Sequence, residues 1–274
     1  MDVKEITKIE ENLLLEAIFQ CYAYDFRNYA HSSLRRRIAH RMDLAKLEHV
    51  SELIPKVLHD KDFFNSLLED LSITVTEMFR DPEIYLAIRE KVVPILKTYP
   101  FVKIWDAGCS TGEEIYSLAI VFQEEDFYHR SQFYATDMNN QALETAREGI
   151  YPVGNLKEFS GNYFKAGGKA SLSDYFSSKY QSAMISKSLK KNIVFSHHNL
   201  VSDSSFGEMN LIICSNVLIY FDKILQNKVL TLFYESLCHG GFLCLGSKES
   251  LEFTDVCENF EGISKKAKIY KKIK

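Results

Sequence analysis

Apolar positions in the first hundred residues recur at helical spacing. Leu13, Leu14, Ala17, Ile18 and Cys21 share one helical face, and Tyr24, Asp25 and Phe26 interrupt it. Ser32 and Ser33 read as N-caps of a second helix whose apolar stripe is Leu34, Ile38 and Met42. Further helical patterns run over 53–58 and 63–71, and another from Pro82 to Leu96, with a break at Pro100. The period changes at residue 101. Residues 101–107 read as a short apolar strand, followed by a Gly-containing turn and a helix over 113–122. A second strand over 132–135 runs into Thr136 and Asp137, and 139–148 is a helix. Strands are expected again at 192–195, 211–214 and 242–245, with a last one at 266–273. A helix over 223–238 is expected to stop at Gly240 and Gly241. Strands alternating with helices predict an α/β fold with a parallel, doubly wound sheet. Residues 151–191, rich in Gly, Ser, Lys and Tyr, break the alternation and are too long for an ordinary loop, so they read as an insertion with structure of its own. The expected boundaries are a helical domain at 1–72, a linking segment and helix at 73–100, and the α/β domain at 101–274.

With 274 residues, the chain can form one large domain or two modest ones, each with a real core. A net charge of -4 gives no sign of general affinity for nucleic acid. Asp2, Glu5, Glu10 and Glu11 stand where a secretory signal would be basic and then apolar. The longest apolar stretch, 211–221, contains Ser215 and Asn216 and is too short to span a bilayer. A cytosolic protein with no membrane insertion is the expectation. Cys21, Cys109, Cys214, Cys238, Cys244 and Cys257 form no C-x-x-C pair, and their spacing suits neither zinc nor a disulfide framework. Buried reduced thiols, Cys109 and Cys214 foremost, and no metal are expected.

The stretch from Val102 to Glu114 is the most informative. A strand runs into Gly108, three residues intervene, and Gly112 precedes a helix. Ligands of open α/β sheets bind outside the carboxyl ends of the strands, and glycines there let backbone approach a ligand. The spacing G-x-x-x-G is neither G-x-G-x-x-G nor a P-loop, which argues against dinucleotides and nucleoside triphosphates. Glu113 and Glu114 at the helix start would repel a phosphate but suit a cationic ligand, and S-adenosylmethionine carries an ammonium and a sulfonium. Ser110 with Glu113, and Thr111 with Glu114, also have capping-box spacing, so each glutamate reads equally as a cap. Asp137 ends the second strand about 25 residues beyond the glycine turn, close to where nucleoside-binding folds place a ribose carboxylate. Its alternative is an N-cap for the helix near Asn139.

With those residues in place, the chain resembles the chemotaxis receptor methyltransferases, the CheR family. Four stretches carry the likeness, in the family's order and over nearly the whole chain. Tyr24-Asp-Phe, followed by Ser33-Leu-Arg-Arg-Arg-Ile and Arg41-Met42, resembles its N-terminal helical domain. Thr74-Val-Thr-Glu-Met-Phe-Arg80 resembles its T-x-F-F-R segment. Ala107 to Ser117 resembles its cofactor loop, and Cys214 to Lys223 its C-R-N-V-x-I-Y-F segment. The resemblance implies a Rossmann-like S-adenosylmethionine-dependent methyltransferase domain, a small all-helical N-terminal domain and a small inserted subdomain. It implies that Thr74, Thr76 and Arg80 contact the cofactor, that Gly108 lies in its loop, and that Glu114 and Asp137 bind its amino acid and ribose parts. Asn199 and Leu200 would flank the adenine, with Ser215 and Asn216 on the far side. The chain departs from the family at Thr74, where Asn is common, at Ile115, where Pro is common, and at Ser215, which replaces an Arg.

The implied reaction is methyl esterification of glutamate side chains on chemoreceptors in chemotactic adaptation, with S-adenosylhomocysteine as product. A glutamate is already ionised at neutral pH and needs no general base. Catalysis then rests on alignment and on excluding water. Arg80 is a candidate to grip or organise the incoming carboxylate, and Tyr220 to donate a hydrogen bond or form a wall, though Tyr220 reads equally as a half-buried core aromatic. Arg35, Arg36, Arg37, His40 and Arg41 make a basic helix on an acidic protein, with Arg37 and Arg41 on one face. Alone this is a solvated face; with the resemblance, Arg35, Arg37 and Arg41 become candidates for docking glutamate-rich receptor helices. In the family the insertion can bind a receptor tail peptide, but here its composition does not specify one. A monomer is expected. The rivals are a nucleic-acid amino-methyltransferase, which would carry a D/N-P-P-Y/F turn near Asn216 that this chain lacks. Two others are a non-catalytic, cofactor-sensing module, and a methyltransferase with a protein target outside chemotaxis.

Overall fold

The computed structural model describes residues 2–72 and 76–274. The chain divides into two units: the N-terminal helices together with residues 219–228, and the remainder, built on a sheet.

In the helical unit, α1 (Val3–Tyr22), α2 (His31–Ala45), α3 (Leu53–His59) and α4 (Lys61–Leu71) bury Leu14, Ile18, Leu34, Ile38, Leu53, Val57 and Leu67. Asp60 caps α4 by accepting from the N–H groups of Asp62 and Phe63. The apolar stripe of α2 is as expected, but neither Ser32 nor Ser33 caps it: the helix starts at His31, behind Ala30. Ala30 is positioned instead by its own N–H, which donates to the Tyr220 carbonyl at 2.8 Å.

In the second unit, α5 (Pro82–Ala87) passes through a widened turn at Ile88–Val92 into α6 (Val93–Leu96). Then come β1 (Val102–Ala107), α7 (Glu113–Glu124), β2 (Ser131–Asp137), α8 (Asn140–Glu148), β3 (Ile150–Pro152), α9 (Leu156–Lys165), β4 (Phe176–Lys179), β5 (Ser182–Ile185), α10 (Lys187–Lys190), β6 (Ile193–His197) and β7 (Met209–Cys214). α11 (Lys223–Ser236), β8 (Leu237–Leu245), β9 (Phe260–Ser264) and β10 (Ile269–Lys272) complete the chain. The main sheet has the order β6-β2-β1-β7-β8-β10-β9, parallel as far as β8, with β10 and β9 antiparallel at one edge. This is the expected α/β architecture. β1 lies between β2 and β7, so its apolar residues Val102, Ile104, Trp105 and Ala107 are fully buried.

Two details differ from the sequence reading. α11 does not stop at Gly240 and Gly241 but gives way directly to β8 at Leu237, and the glycines lie inside the strand. Gly241 is packed so closely that a Cβ would come within 2.9 Å of the Cys238 carbonyl oxygen. The C-terminal edge holds two strands rather than one, because β9, with the pattern Phe-Glu-Gly-Ile-Ser, carries too few apolar residues to announce itself.

The insertion folds as a three-stranded antiparallel sheet, β3-β5-β4, with α9 beside it. Its anchor is Glu124 at the end of α7, which accepts from the Tyr163 and Tyr175 hydroxyls and the Lys169 N–H and pairs with the buried Arg89. All six cysteines are free; Cys109, Cys214 and Cys244 are buried, while Cys21 is exposed. Among the described residues no helix is long and apolar enough to cross a membrane.

Candidate cofactor site

β1 ends in a turn that wraps the end of β2. The N–H groups of Gly108 and Cys109 both donate to the Thr136 carbonyl, at 2.8 and 2.9 Å. The Ser110 N–H donates to the Asp137 carboxylate at 2.9 Å. Gly108 and Gly112 have φ of 91° and 94°, a region that side chains disfavour. The packing gives both glycines a further reason. A Cβ on Gly108 would lie 2.6 Å from Val217 Cγ2, and one on Gly112 2.9 Å from Ala146 Cβ, so protein fills both spaces. Neither capping box forms: Gly112 is the N-cap of α7, with no side-chain cap. Thr111 instead donates to Glu113 at 2.6 Å, and the buried Ser110 hydroxyl has no partner among the described residues. Gly108→Ala is expected to cost about 3 kcal/mol from strain and overpacking, read as a lowered melting temperature. Adding Val217→Ala should recover only part of it, since the backbone strain persists.

Three carboxylates gather at this end of the sheet. Asp137 is not the cap of α8; Asn139 is, accepting from the N–H groups of Gln141 and Ala142 at 2.9 and 3.1 Å. Asp137 accepts from Ser110 on one oxygen and from the Asn139 N–H, at 2.8 Å, on the other. A carboxylate offers about four acceptor positions, so beside these backbone donors and the Met138 N–H it keeps capacity for a ligand hydroxyl. Burial pushes the Asp137 carboxyl up, opposed by these backbone donors. Glu114, in the first turn of α7, is likewise pushed up by burial, with Glu249 and Asp81 adding repulsion and Arg80 opposing it. The third, Asp106, lies inside β1, has no exposure, and has no hydrogen-bond partner on either oxygen among the described residues. Burial first, then Glu114 and Asp137, push its carboxyl well up.

The other candidates of the second unit lie on its loops. Arg80 is solvent-exposed on a turn between Phe79 and Asp81, both with φ near the left-handed region at 54° and 53°. That turn is held down by the buried Phe79 ring and by the Phe79 N–H donating to Ser117 Oγ at 2.9 Å. Thr76 is half-buried, four residues upstream; Thr74 lies outside the described residues. Asn199 and Leu200 are buried just beyond β6, where the Asn199 side chain accepts from the Val201 N–H at 3.0 Å and its N–H donates to Asp203 at 2.9 Å. Ser215 and Asn216 follow β7. Asn216 has φ of 60°, and Glu249 accepts from the N–H groups of Asn216, Val217 and Gly246 at 3.2, 2.9 and 2.7 Å.

The remaining candidates belong to the helical unit. Tyr220 is half-buried there, with the Arg37 guanidinium 5.8 Å from its ring centroid. Arg37 also donates to the carbonyls of Asp70, Leu71 and Ser72 at 2.7, 3.3 and 3.3 Å, satisfying the open end of α4. Arg41 pairs with Asp70 and donates to the Ser66 carbonyl, and Arg35 pairs with the buried Glu11 at 2.8 Å. The shared face of Arg37 and Arg41 is therefore turned onto α4, while Arg36 and His40 are exposed. Asp106 and Glu249 were not anticipated. An Asp beside Ile104 and Trp105 in the strand before Gly108 was a visible signal for the first; nothing in the sequence links residue 249 to residue 216.

The sequence matches the family described as CheR methyltransferase, SAM binding domain, over residues 74–268, and its all-alpha domain over residues 9–72. The chain belongs to the CheR methyltransferase family. A Pseudomonas putida protein provisionally named methyltransferase Cher3 is 48% identical over 97% of both chains. Proteins named chemotaxis protein methyltransferase are 28% identical in Listeria monocytogenes, covering 83% of this chain and 84% of that one, and 27% identical in Borreliella burgdorferi, covering 90% and 89%. The CheR activity is methyl transfer from S-adenosylmethionine, and the residues present fit that cofactor. Asp137 retains acceptors for hydroxyls, and the orphaned Asp106 beside Glu114 asks for a positive charge.

Proposed function

We propose that this protein methylates glutamate side-chain carboxylates of chemoreceptors, and that Gly108, Glu114, Asp137, Asn199, Leu200, Ser215, Asn216, Thr74, Thr76 and Arg80 bind the cofactor. The observation that carries the reading is the group of carboxylates, Asp106, Glu114 and Asp137, at the carboxyl ends of β1 and β2, inside a CheR domain that spans most of the chain. The names of the Listeria and Borreliella relatives support the chemotactic role.

S-adenosylmethionine, when bound, supplies an electrophilic methyl on a sulfonium. The protein's part is to bind, orient and exclude water. Asp137 would take the ribose hydroxyls and Glu114 the ammonium. Arg80, exposed on its strained turn, is the cation able to meet an incoming carboxylate with two hydrogen bonds. The acceptor glutamate arrives ionised, so no residue need remove a proton. A chemical role for Tyr220 stays part of the proposal.

The docking face on α2 is redrawn. Arg37 and Arg41 hold α4, so the exposed Arg36 and His40, four residues apart, with the half-free Arg35, present the charge to an acidic helix. The test is methyl transfer from labelled cofactor to a chemoreceptor cytoplasmic fragment, followed by mild alkali. Label that leaves as methanol supports the ester. Arg36→Glu should raise the KM for receptor about fivefold without touching cofactor affinity. Binding of cofactor with no receptor label would move the target outside chemotaxis; no binding would point to a degenerate module.

A further inference from the structure

The segment between β8 and β9 reaches the turn that carries Arg80. The Ser247 hydroxyl donates to the Asp81 carboxylate at 3.3 Å, one residue from Arg80. Two residues on, Glu249 holds the Asn216 loop. Leu251 and Val256 are buried and pin the segment to the second unit. Between them residues 251–254 make a tight turn, closed by the Thr254 N–H and hydroxyl, which both donate to the Leu251 carbonyl, at 3.3 and 2.7 Å. Phe253 takes the third place in that turn with φ of 65°. Such a place suits glycine or asparagine and strains a bulky side chain.

The Phe253 ring is also fully exposed. Single exposed apolar residues are ordinary on a protein surface. Here the backbone conformation disfavours the residue and the fold buries none of its ring, so the folded chain gains nothing from a phenyl group at this point. Tyr180, at the turn between β4 and β5, is comparable, with φ of 56° and a nearly fully exposed ring, but Lys179 lies 5.6 Å from that ring's centroid. Phe253 instead shares its segment with the contact to Asp81. The charges around it are ordered. Lys248 and Arg80 are exposed cations toward the Asp81 end, and the exposed carboxylates of Glu252 and Asp255 flank the ring.

We propose that Phe253 is a specificity-determining residue of the methyl transfer, whose ring docks on an apolar side chain of the helix that carries the acceptor glutamate. Six residues beyond Ser247 reach at most about 20 Å, the length of about 13 helical residues. One helix can therefore place a glutamate at Arg80 and an apolar residue under Phe253. A basic side chain beside that apolar position would meet Glu252 and Asp255. A second copy of this chain fits less well, because a two-fold contact through Phe253 would set those carboxylates against each other. The inference rests on the reading that the acceptor is a receptor helix.

The test is the initial rate of methyl transfer at saturating S-adenosylmethionine, with a chemoreceptor cytoplasmic fragment varied. Phe253→Gly and Phe253→Asn, which both tolerate the left-handed turn, should raise the KM for the fragment about tenfold with kcat unchanged. Their affinity for S-adenosylhomocysteine should match wild type, and their melting temperatures should rise by about 2 °C as the strain is relieved. Phe253→Leu keeps an apolar tip and should hold KM within about threefold. Substrate recognition and stability thus move in opposite directions, which a merely structural role would not produce. A wild-type KM in Phe253→Gly and Phe253→Asn overturns the inference and leaves the receptor reading standing. So does a raised KM that comes with lost cofactor affinity and a lower melting temperature, which marks a collapsed loop. A wild-type dimer in sedimentation that Phe253→Gly dissociates, with KM unchanged, gives the ring to a second copy and overturns it too. A wild-type chain that binds cofactor but transfers no methyl to the fragment overturns the receptor reading and the anchor together.

Discussion

Replacing Asp137 by alanine is expected to lower affinity for S-adenosylmethionine by about two orders of magnitude. Hydrogen bonds to a charged group contribute about 1.5–3 kcal/mol each, and two ribose hydroxyls on one carboxylate bring the loss to that range. A second effect comes with it. The Ser110 and Asn139 N–H groups lose their acceptor, so the turn after β1 and the start of α8 both loosen. The two effects are separable. Asp137→Asn keeps a carbonyl that serves one of these backbone donors, and one amide edge for the ribose. It should recover most of the melting temperature of the ligand-free protein but only about one of the two lost orders of magnitude in affinity. Cofactor titration beside thermal unfolding of the same preparations decides it. Equal affinity in wild type and Asp137→Ala would remove Asp137 from the binding site and leave it a bracket for the glycine turn.

That double duty explains what could be read from sequence. The strand-turn-helix around Gly108 was legible because periodicity, glycines and acidic residues all fall within one short segment. Asp137 was legible from its place at a strand end. The sequence left two uses open for Glu113, Glu114 and Asp137, and the cap reading loses at each: Gly112 and Asn139 occupy the cap positions. Local spacing could not show that the missing side chains of both glycines also make room for Val217 and Ala146. A residue far along the chain can claim a space that local spacing attributes to a ligand. The arginines of α2 show the same limit. Helical spacing put Arg37 and Arg41 on one face but not which face, and the open carbonyl end of α4 took them.

The largest stability effect in the second unit is expected at Glu249. One buried carboxylate accepts the Val217 N–H on one oxygen and the Asn216 and Gly246 N–H groups on the other. It stitches the loop after β7 to the turn after β8, the strands paired through Cys214 and Leu245. It also holds Asn216 at a positive φ that an unsupported asparagine would leave. Glu249→Ala orphans three backbone donors and should cost about 4 kcal/mol, a fall in melting temperature of about 10 °C. Glu249→Gln separates structure from charge. Its amide oxygen can still serve Asn216 and Gly246, while its NH2 group confronts Val217, so roughly half the stability loss is expected. At the same time one of the charges that add to burial in pushing Glu114 up is gone. Glu114 then ionises more readily, and cofactor affinity near neutral pH should hold or improve while stability falls. A Glu249→Gln chain that loses affinity and stability in step would mean that the loop's shape, rather than the charge of the clustered carboxylates, governs binding on this side of the site. Opposite movement would show that the protein uses Glu249 to hold the Asn216 loop and accepts, as the cost, a harder ionisation of Glu114.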